Sequence, residues 1–533
     1  MRKIFFLFFL LYNIVCIGQS KFFLYFTDKE GVTFDPYLYF DAKAIERRMR
    51  ENIVLFDETD LPVREDYIST VKDICDSAKM ISRWMNGMSI YATEEQIEII
   101  KQLPFVKEIH LMEGKKNSAA AYDNELTEIF NLDKQQIALL KFQTFRHSAD
   151  AFRSAGLTGK GIRIAVFDVG FPGVETHPAF EHVRKENRII AVYDFVGNDN
   201  DPYHGNAHGT SCFSCIAGYY DTIPMGMAVD AEFLLAKTER GYTEFENEED
   251  AWLAAAEWAD KNGVDIISSS LAYTKQRYTP ADMNGYTSIV SKAAQIATQK
   301  GMLVVNAAGN EADKRWEYIA TPADVESVLT VGGVDPYTDA HIEFSSYGPN
   351  AEGILKPNVC SLGEAITASA NNYKYNFGTS FATPLVAGFA ACAWQQNKAL
   401  TREEIFDVIE KSAHLYPYYD YAHGYGIPQA NYITGARARI SPTFTVDETD
   451  EDAERIKIHF NETFYPEGDL VEFKQLNFYY HFADVDGNIV YYAVIVPDGT
   501  ELSVDIPYTV LENTGAYNFK AHFEGYTITI SLN

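Results

Sequence analysis

Four polar residues along the chain have side chains of the kinds that nucleophilic catalysis requires. Asp168 ends the apolar run IAVFD, His208 begins HGTSC, and Asn310 ends VVNAAGN. Each has an ordinary alternative: Asp168 could cap a turn, His208 could be a hydrogen-bonded loop histidine, and Asn310 could occupy a left-handed turn. Combined with Ser380, they supply an orienting carboxylate, a base, an oxyanion donor and a nucleophile.

Ser380 precedes an apolar run of small residues, 385–391, that is typical of a buried helix. Because proline is tolerated in the first turn of a helix, Pro384 predicts that the helix begins there, with Ser380 at or just before its amino terminus. Free amides and the positive end of the helix dipole favour a negative charge at that position. An alternative stays open, in which Ser380 or Thr379 only caps the helix.

The elements that position these side chains form a predicted parallel sheet. Buried strands are expected at GIRIAVFDVG (161–170), VDIISSSL, MLVVNAAGN and ESVLTVGGV (326–334), with helices between them, one of them over 286–300. Apolar strands that alternate with helices predict an α/β fold with a doubly wound parallel sheet. Catalytic groups in such sheets collect at the carboxyl ends of the strands. We assign this domain to residues 151–438.

Two smaller domains are predicted on either side. Residues 19–115 alternate strands with helices, including a helix over 41–53 and one opened by a capping box at Thr93 and Gln96, and this pattern indicates a compact α+β unit. A polar connector, 116–150, follows it. Residues 441–533 contain alternating strands such as RIKIHF and a turn signal at Asp486-Gly487, which predict an antiparallel β-sandwich.

Composition excludes some classes of partner. The 533 residues carry 75 acidic and 45 basic side chains, a formal net charge of −30, which argues against nucleic acid and anionic membranes. The first 18 residues have a basic start followed by an apolar stretch, as in a secretory signal with cleavage after Gly18. That stretch is too short to span a membrane, and no later segment is apolar enough. We expect an exported protein that is extracellular, cell-surface or periplasmic.

The cysteines are too sparse for a disulfide framework. Cys212-x-x-Cys215 has the spacing of a redox or zinc motif, but no second Cys or His pair stands nearby at zinc spacing. We therefore interpret both residues as buried small hydrophobic side chains.

The order Asp, His, Asn, Ser resembles that of the subtilisin-like serine proteases (subtilases, peptidase S8 family). The resemblance covers roughly residues 155–437. It rests on the motifs IAVFDVG, HGTSCFSCIAG, AAGNE and GTSFATPLVAG, and on the connecting segments TPADVESVLTVGGVD, FSSYGP, KPNV and GYGIPQA.

The resemblance implies a function for each of the four residues. Ser380 would attack a peptide carbonyl, His208 would transfer its proton, and Asp168 would orient the imidazole. The Asn310 side chain and the Ser380 backbone amide would stabilise the oxyanion. No cofactor is implied for catalysis, and the substrates would be proteins or peptides.

The resemblance also assigns residues outside the triad. The segment SSSLAY is similar to the one that binds substrate backbone, here Ser270, Leu271 and Ala272, although Ala272 and Tyr273 stand where glycines are common. Residues 19–115 look like an inhibitory, folding-assisting propeptide, with autocleavage within 112–125. Asp199 and Asp201 are candidate ligands of a structural calcium, the alternative being an ordinary polar loop.

Two other functions are possible for such a sequence: an esterase and a non-catalytic binding protein. An esterase of the α/β-hydrolase type needs Gly-x-Ser-x-Gly followed by an acid and then a histidine, but alanine replaces the last glycine in GTSFA. A non-catalytic binding protein on a protease scaffold would be expected to lack a member of the triad, and none is missing.

Overall fold

The computed structural model describes residues 19–112, 129–241, 248–274, 277–436, 441–447, 455–464, 475–511 and 517–532. The predicted signal (1–18) and nearly all of the predicted autocleavage region (112–125) lie outside these residues. The described chain forms two units. The smaller contains residues 19–34 and 57–112, and the larger contains residues 35–56 and everything from 129 onward.

The smaller unit is an α+β unit with an antiparallel sheet. In chain order, the first elements of the protein are β1 (Ser20–Phe26), α1 (Pro36–Tyr39), α2 (Ala42–Arg50), α3 (Glu65–Lys72), β2 (Ser77–Ser82), β3 (Gly87–Ala92), α4 (Glu94–Ile100) and β4 (Val106–Leu111). All of these except α1 and α2 belong to the smaller unit. Its strands lie in the order β2-β3-β1-β4. The predicted capping box at Thr93 and Gln96 is confirmed at the start of α4.

The larger unit contains a seven-stranded parallel sheet with the strand order β13-β12-β11-β10-β5-β9-β6. Its elements up to residue 436 are α5 (Lys134–Phe145), α6 (Asp150–Ser154), β5 (Arg163–Asp168), α7 (Glu181–Lys185), β6 (Ile189–Asp194), α8 (His208–Ala217), β7 (Tyr219–Tyr220), β8 (Ile223–Pro224), β9 (Glu232–Lys237), α9 (Glu248–Lys261), β10 (Ile266–Ser269), α10 (Ile289–Gln299), β11 (Leu303–Ala307), β12 (Leu329–Val334), β13 (Val359–Leu362), β14 (Glu364–Ala368), β15 (Tyr373–Phe377), α11 (Thr379–Gln396), α12 (Arg402–Ser412) and α13 (Ala430–Ile433).

Helices cover both faces of this sheet, as predicted. Successive side chains of a strand point to opposite faces. Val166 of β5 lies in the main core with Phe213 of α8 and Val386 of α11. The next residue, Phe167, contacts Trp252 of α9, with 5.5 Å between the ring centroids. The central strand β5 is therefore buried on both sides, and its carboxyl end is held rigidly.

Part of the predicted polar connector 116–150 differs from the prediction, because its helix α5 packs into the larger unit. Leu139 and Leu140 of this helix lie in the main core. Gln143 is buried: its Nε2 donates to the Met225 carbonyl (3.1 Å) and its Oε1 accepts from the Ile366 amide (2.8 Å). In the sequence, a polar residue that is buried and bonded to distant backbone cannot be told from a polar residue on the surface. This is why the sequence predicted a connector where the structure has a packed helix.

The predicted compact unit 19–115 also differs from the structure. Residues 35–56, with α1 and α2, pack in the larger unit instead of the smaller one. The helix predicted over 41–53 exists as α2, and its partners come from the larger unit.

The carboxyl-terminal residues form the predicted β-sandwich. Its elements are β16 (Phe444–Asp447), β17 (Arg455–Phe460), β18 (Phe478–Asp484), β19 (Ile489–Ile495), β20 (Glu501–Asp505), α14 (Tyr508–Leu511), β21 (Tyr517–Phe523) and β22 (Tyr526–Leu532). Two antiparallel sheets, β16-β17-β20 and β19-β18-β21-β22, share one core that includes Phe444, Ile458 and Phe519. Across the described residues of the whole chain, none of the helices has the length and apolar character needed to cross a membrane.

Candidate active site

A carboxylate–imidazole pair lies at the carboxyl end of the central strand. Asp168 is the last residue of β5 and is fully buried, while His208 is the first residue of α8. His208 Nδ1 lies 2.7 Å from Asp168 Oδ1. The same oxygen accepts the Val169 amide (2.8 Å), and the His208 amide donates to Asn206 Oδ1 (2.9 Å). Both side chains are thus fixed by the local backbone as well as by each other.

The surroundings of His208 favour its protonated form. Burial acts to lower the pKa of the imidazole, but the charge of Asp168, the neighbouring Cys212 and the hydrogen bonds to both side chains together outweigh it, and the pKa lies well above its usual range. The side chain keeps 14% of its surface exposed, so it can reach a bound molecule. The arrangement suits a base that becomes an imidazolium during a reaction.

Ser380 is placed differently from the prediction. Helix α11 begins at Thr379, so Ser380 lies within its first turn and Pro384 lies inside the helix. The alternative that Ser380 or Thr379 caps the helix is wrong: the N-cap residue is Gly378, and no side chain makes a capping bond there. Gly378 has φ +147°, which disfavours other residues. In this first turn the Thr379 amide donates to Asn310 Oδ1 (2.9 Å) and the Phe381 amide to the Gly378 carbonyl (3.0 Å).

Pro384 is accommodated by hydrogen bonds from outside the helix. A proline has no N–H, so the Ser380 carbonyl, four residues earlier, lacks its helical donor. Ser270 Oγ donates to that carbonyl over 2.8 Å, and the Cys212 thiol donates to it over 3.3 Å. These two bonds tie the first turn of α11 to the end of β10 and to α8.

Cys212 also lies beside the site, although the sequence motifs did not place it there. Its Sγ lies 3.7 Å from His208 Nδ1 and contacts the Ser380 carbonyl, so Ser380 and His208 share it. Burial raises the pKa of the Cys212 thiol to about 12, which keeps it a donor. The prediction that Cys212 and Cys215 are buried thiols is confirmed. The i, i+4 spacing from His208, which puts Cys212 one turn along the helix, was the available signal.

Asn310 lies just beyond β11 with its side chain held in one orientation. Its Oδ1 accepts the Thr379 amide and the Thr379 hydroxyl, each over 2.9 Å. A Cβ added at Gly378 would lie 3.4 Å from Asn310 Nδ2, so this nitrogen faces the backbone beside Ser380. Gly309, with φ +114°, takes the left-handed position that was the alternative for Asn310. The amide nitrogen is therefore available as a donor next to the nucleophile.

The segment 270–272 lies against the site. Ser380 Oγ donates to the Ser270 carbonyl (3.3 Å). The Leu271 carbonyl accepts from Asn306 Nδ2 (3.0 Å), on the other side of this extended stretch. Ala272 is half-buried, and Tyr273 is buried with its amide bonded to the Thr321 carbonyl (3.0 Å).

Asp199 and Asp201 belong to a hydrogen-bonded loop. Asp199 Oδ1 accepts the Asp201 amide (2.9 Å), and Asp201 Oδ1 accepts the Tyr203 amide (3.1 Å). Within the described part of the chain, one group of three potential metal ligands comes together, namely Asp168, His208 and Cys212, and it excludes both aspartates. Two members of that group, Asp168 and His208, are already joined by a hydrogen bond.

Two models of known protein families match parts of this chain. A model of the subtilase family matches residues 159–426, which include Asp168, His208, Asn310 and Ser380. A model of the Peptidase S8 propeptide domain of Bacteroidota matches residues 21–126. The β-sandwich lies beyond both matches.

Individual relatives are similar over about half of the chain. Serine protease AprX of Bacillus subtilis (strain 168) is 29% identical over 311 residues, covering 52% of this chain and 67% of the relative. Subtilisin BL of Lederbergia lenta is 30% identical over 273 residues, 50% of this chain and 89% of the relative. Thermophilic serine proteinase of Bacillus sp. (strain AK1) is 32% identical over 257 residues, 48% of this chain and 56% of the relative.

Proposed function

The chain belongs to the subtilase family of serine endopeptidases, and from that premise we propose that it hydrolyses peptide bonds with Ser380, His208 and Asp168. The observation that carries the proposal is the 2.7 Å bond between His208 and the buried Asp168, placed beside the first turn of α11 where Ser380 lies. A base oriented by a carboxylate next to a serine is the arrangement that activates a hydroxyl nucleophile.

In the proposed reaction, Ser380 Oγ attacks the substrate carbonyl and its proton passes to His208 Nε2. Asp168 holds the Nδ1–H tautomer and stabilises the imidazolium. Asn310 Nδ2 and the Ser380 amide donate to the oxyanion. The intermediate collapses when His208 returns the proton to the leaving amine, and water then repeats the sequence on the acyl-enzyme.

We propose that the substrate backbone binds along residues 270–272 as an added strand. The Leu271 carbonyl is occupied by Asn306, which leaves the backbone groups of Ser270 and Ala272 on the side of the nucleophile. Main-chain pairing of this kind binds extended peptides with little dependence on side chains.

The protein is a zymogen in this proposal. Residues 19–115 act as the propeptide that inhibits the enzyme, supported by the match over 21–126. Export directed by residues 1–18 would place the enzyme outside the cytoplasm.

No cofactor enters the proposed chemistry. A structural calcium at Asp199 and Asp201 is the weaker alternative, because each carboxylate already accepts an amide of its own loop. A thermal melt with and without a chelator tests it, and an unchanged melting temperature would remove calcium from the proposal.

Labelling with a fluorophosphonate probe tests the proposed chemistry. The mature wild-type protein should label at Ser380 and digest casein, and Ser380→Ala should lose both, with kcat reduced by about 10⁶, the loss known for subtilisin. Absence of labelling in the mature wild type would favour a binding protein. Labelling with hydrolysis of acyl esters but not of proteins would favour an esterase.

A further inference from the structure

Residues 35–56 are part of the larger unit. They pack at the end of its main sheet where the parallel strands begin, opposite to the end that holds Asp168. Lys43 Nζ donates to the Gly161 carbonyl (3.1 Å) and pairs with Glu232, the first residue of β9 (2.9 Å). Arg50 pairs with Asp265, just before β10 (3.0 Å). These partners lie where the parallel strands begin, whereas Asp168 lies where β5 ends.

Two arginines of α2 form the centre of this contact. Arg47 and Arg48 are each only 1% exposed, and both bind the buried Asp260 in the last turn of α9. Arg48 is bidentate, with its two terminal nitrogens 2.9 and 2.8 Å from the two carboxylate oxygens. A planar guanidinium fork matched to a carboxylate, with both groups buried, is a specific and strong interaction.

The segment also supplies hydrogen bonds at two helix ends. Arg47 donates, over 3.0 Å, to the carbonyl of Lys300, which ends α10, and also to the Val264 carbonyl in the loop after α9. The two oxygens of Glu51 accept the Arg402 amide at the start of α12, each over 3.0 Å. Terminal carbonyls and amides have no partners inside their own helices, so residues 47 and 51 satisfy groups at the ends of α10 and α12.

The surface beneath the segment is shaped to receive it. A Cβ added at Gly263 would lie 2.6 Å from Lys43 Cβ, and one added at Gly301 would lie 2.2 Å from Glu51 Cγ. Both glycines also have positive φ, +68° and +87°. The guanidinium of Arg50 covers the ring of Trp394 in α11 at 4.3 Å. Ionic, backbone and packing contacts thus coincide in one short stretch.

We propose that residues 35–56 are a lasting part of the catalytic unit, held by Arg47 and Arg48 on Asp260 after the chain is cut between residues 112 and 129. With that one cut the protein consists of two chains joined at this surface, and cuts on either side of the segment leave residues 35–56 on the catalytic unit. The proposal concerns binding alone and does not require that the protein cuts itself.

The test uses the full chain carrying Ser380→Ala, with sites for a sequence-specific protease inserted within 113–128, at 33–35 and at 56–58. After complete cleavage, the fragments are separated by size exclusion at nanomolar concentration and identified by mass spectrometry. We expect the peptide around 35–56 to elute with the catalytic chain, independently of the smaller unit. Elution of that peptide by itself would overturn the proposal.

A pair of variants identifies the contact. Arg47→Met combined with Arg48→Met should speed dissociation of the segment by on the order of 10² or more, because removing one side of a buried charge pair acts on the off-rate. Arg64→Met is the matched control, since Arg64 pairs with the exposed Asp66 in the smaller unit. Unchanged retention in the double variant would contradict the role of the arginines. If the double variant does not fold, elution of the cut parent chain alone decides the proposal.

Discussion

Thr379 donates both its backbone amide and its hydroxyl to the Asn310 side-chain oxygen, each over 2.9 Å. An amide N–H can only donate, so the atom it meets must be the oxygen of the carboxamide, and the nitrogen must face the other way. The residue before the nucleophile therefore orients the proposed oxyanion donor. This relationship links Asn310, at the end of β11, to the start of α11.

Asn310→Ala should lower kcat by about 10² to 10³ with little change in KM, as known for the corresponding loss in subtilisin. An oxyanion donor acts mainly in the transition state, where charge has moved onto the carbonyl oxygen. Steady-state kinetics of the folded variant check this, and Asn310→Asp should be slower still. Wild-type kcat in Asn310→Ala would mean that other groups hold the oxyanion.

Thr379→Val should reduce kcat about 2- to 10-fold, because one of the two bonds that orient Asn310 is lost and a neutral hydrogen bond contributes about 0.5–1.5 kcal/mol. Thr379→Ser keeps the hydroxyl and is the matched control, with kcat near wild type. Wild-type kcat in Thr379→Val would contradict the role of the hydroxyl, and a loss in Thr379→Ser as large as in Thr379→Val would show that packing at this position, not the hydroxyl bond alone, sets the rate.

The acidic limb of the kcat/KM profile should have its midpoint above pH 6.5. Asp168, together with Cys212 and the hydrogen bonds to both, outweighs burial and raises the pKa of His208. Only neutral His208 can accept the Ser380 proton, so activity is lost as pH falls through that pKa. Asp168→Asn removes the charge that raises the pKa. This variant should move the limb to lower pH while kcat falls by about 10⁴. A limb that stays in place in Asp168→Asn would contradict the assignment.

Ser270→Ala should lower the free energy of unfolding by about 0.5–1.5 kcal/mol, because the Ser380 carbonyl loses its 2.8 Å donor and keeps only the weaker Cys212 thiol, at 3.3 Å. Chemical denaturation measures the change. Ser268→Ala, in the same strand region, is the control: Ser268 Oγ is buried without a hydrogen-bond partner among the described residues, so its removal should cost nothing. Similar losses in both variants would refute the role of the Ser270 hydroxyl.

Deleting the β-sandwich from residue 441 should destabilise the catalytic domain while sparing kcat on small peptides. Leu415 and the fully buried Tyr418 pack against Tyr479 of β18, and His481 bonds to the Tyr419 carbonyl (2.6 Å). Exposing these side chains should cost about 3 kcal/mol or more, measured by thermal unfolding. Val485→Ser, on an exposed turn of the sandwich, should leave the melting temperature unchanged. Equal stability after deletion would show that this contact contributes nothing.

The chain order and local patterns were enough to predict the main sheet, the sandwich and the positions of Asp168 and His208 at element ends. The spacing of apolar residues along the chain indicates which side of an element is buried. A strand that is apolar throughout must be covered on both faces. The capping box at Thr93 is equally local, because both of its partners lie within one turn.

Tertiary structure decided what depends on partners distant in sequence. The rule for proline predicted a helix start at Pro384, yet α11 begins at Thr379, since Ser270, 110 residues earlier, donates to the carbonyl that the proline leaves without a donor. Nothing in the sequence predicted that Arg47 would be buried against Asp260, or that buried Gln143 would donate to the Met225 carbonyl. The identity of a polar residue does not show whether its hydrogen-bond partner will be water or a buried protein group. That partner is decided only when the chain folds.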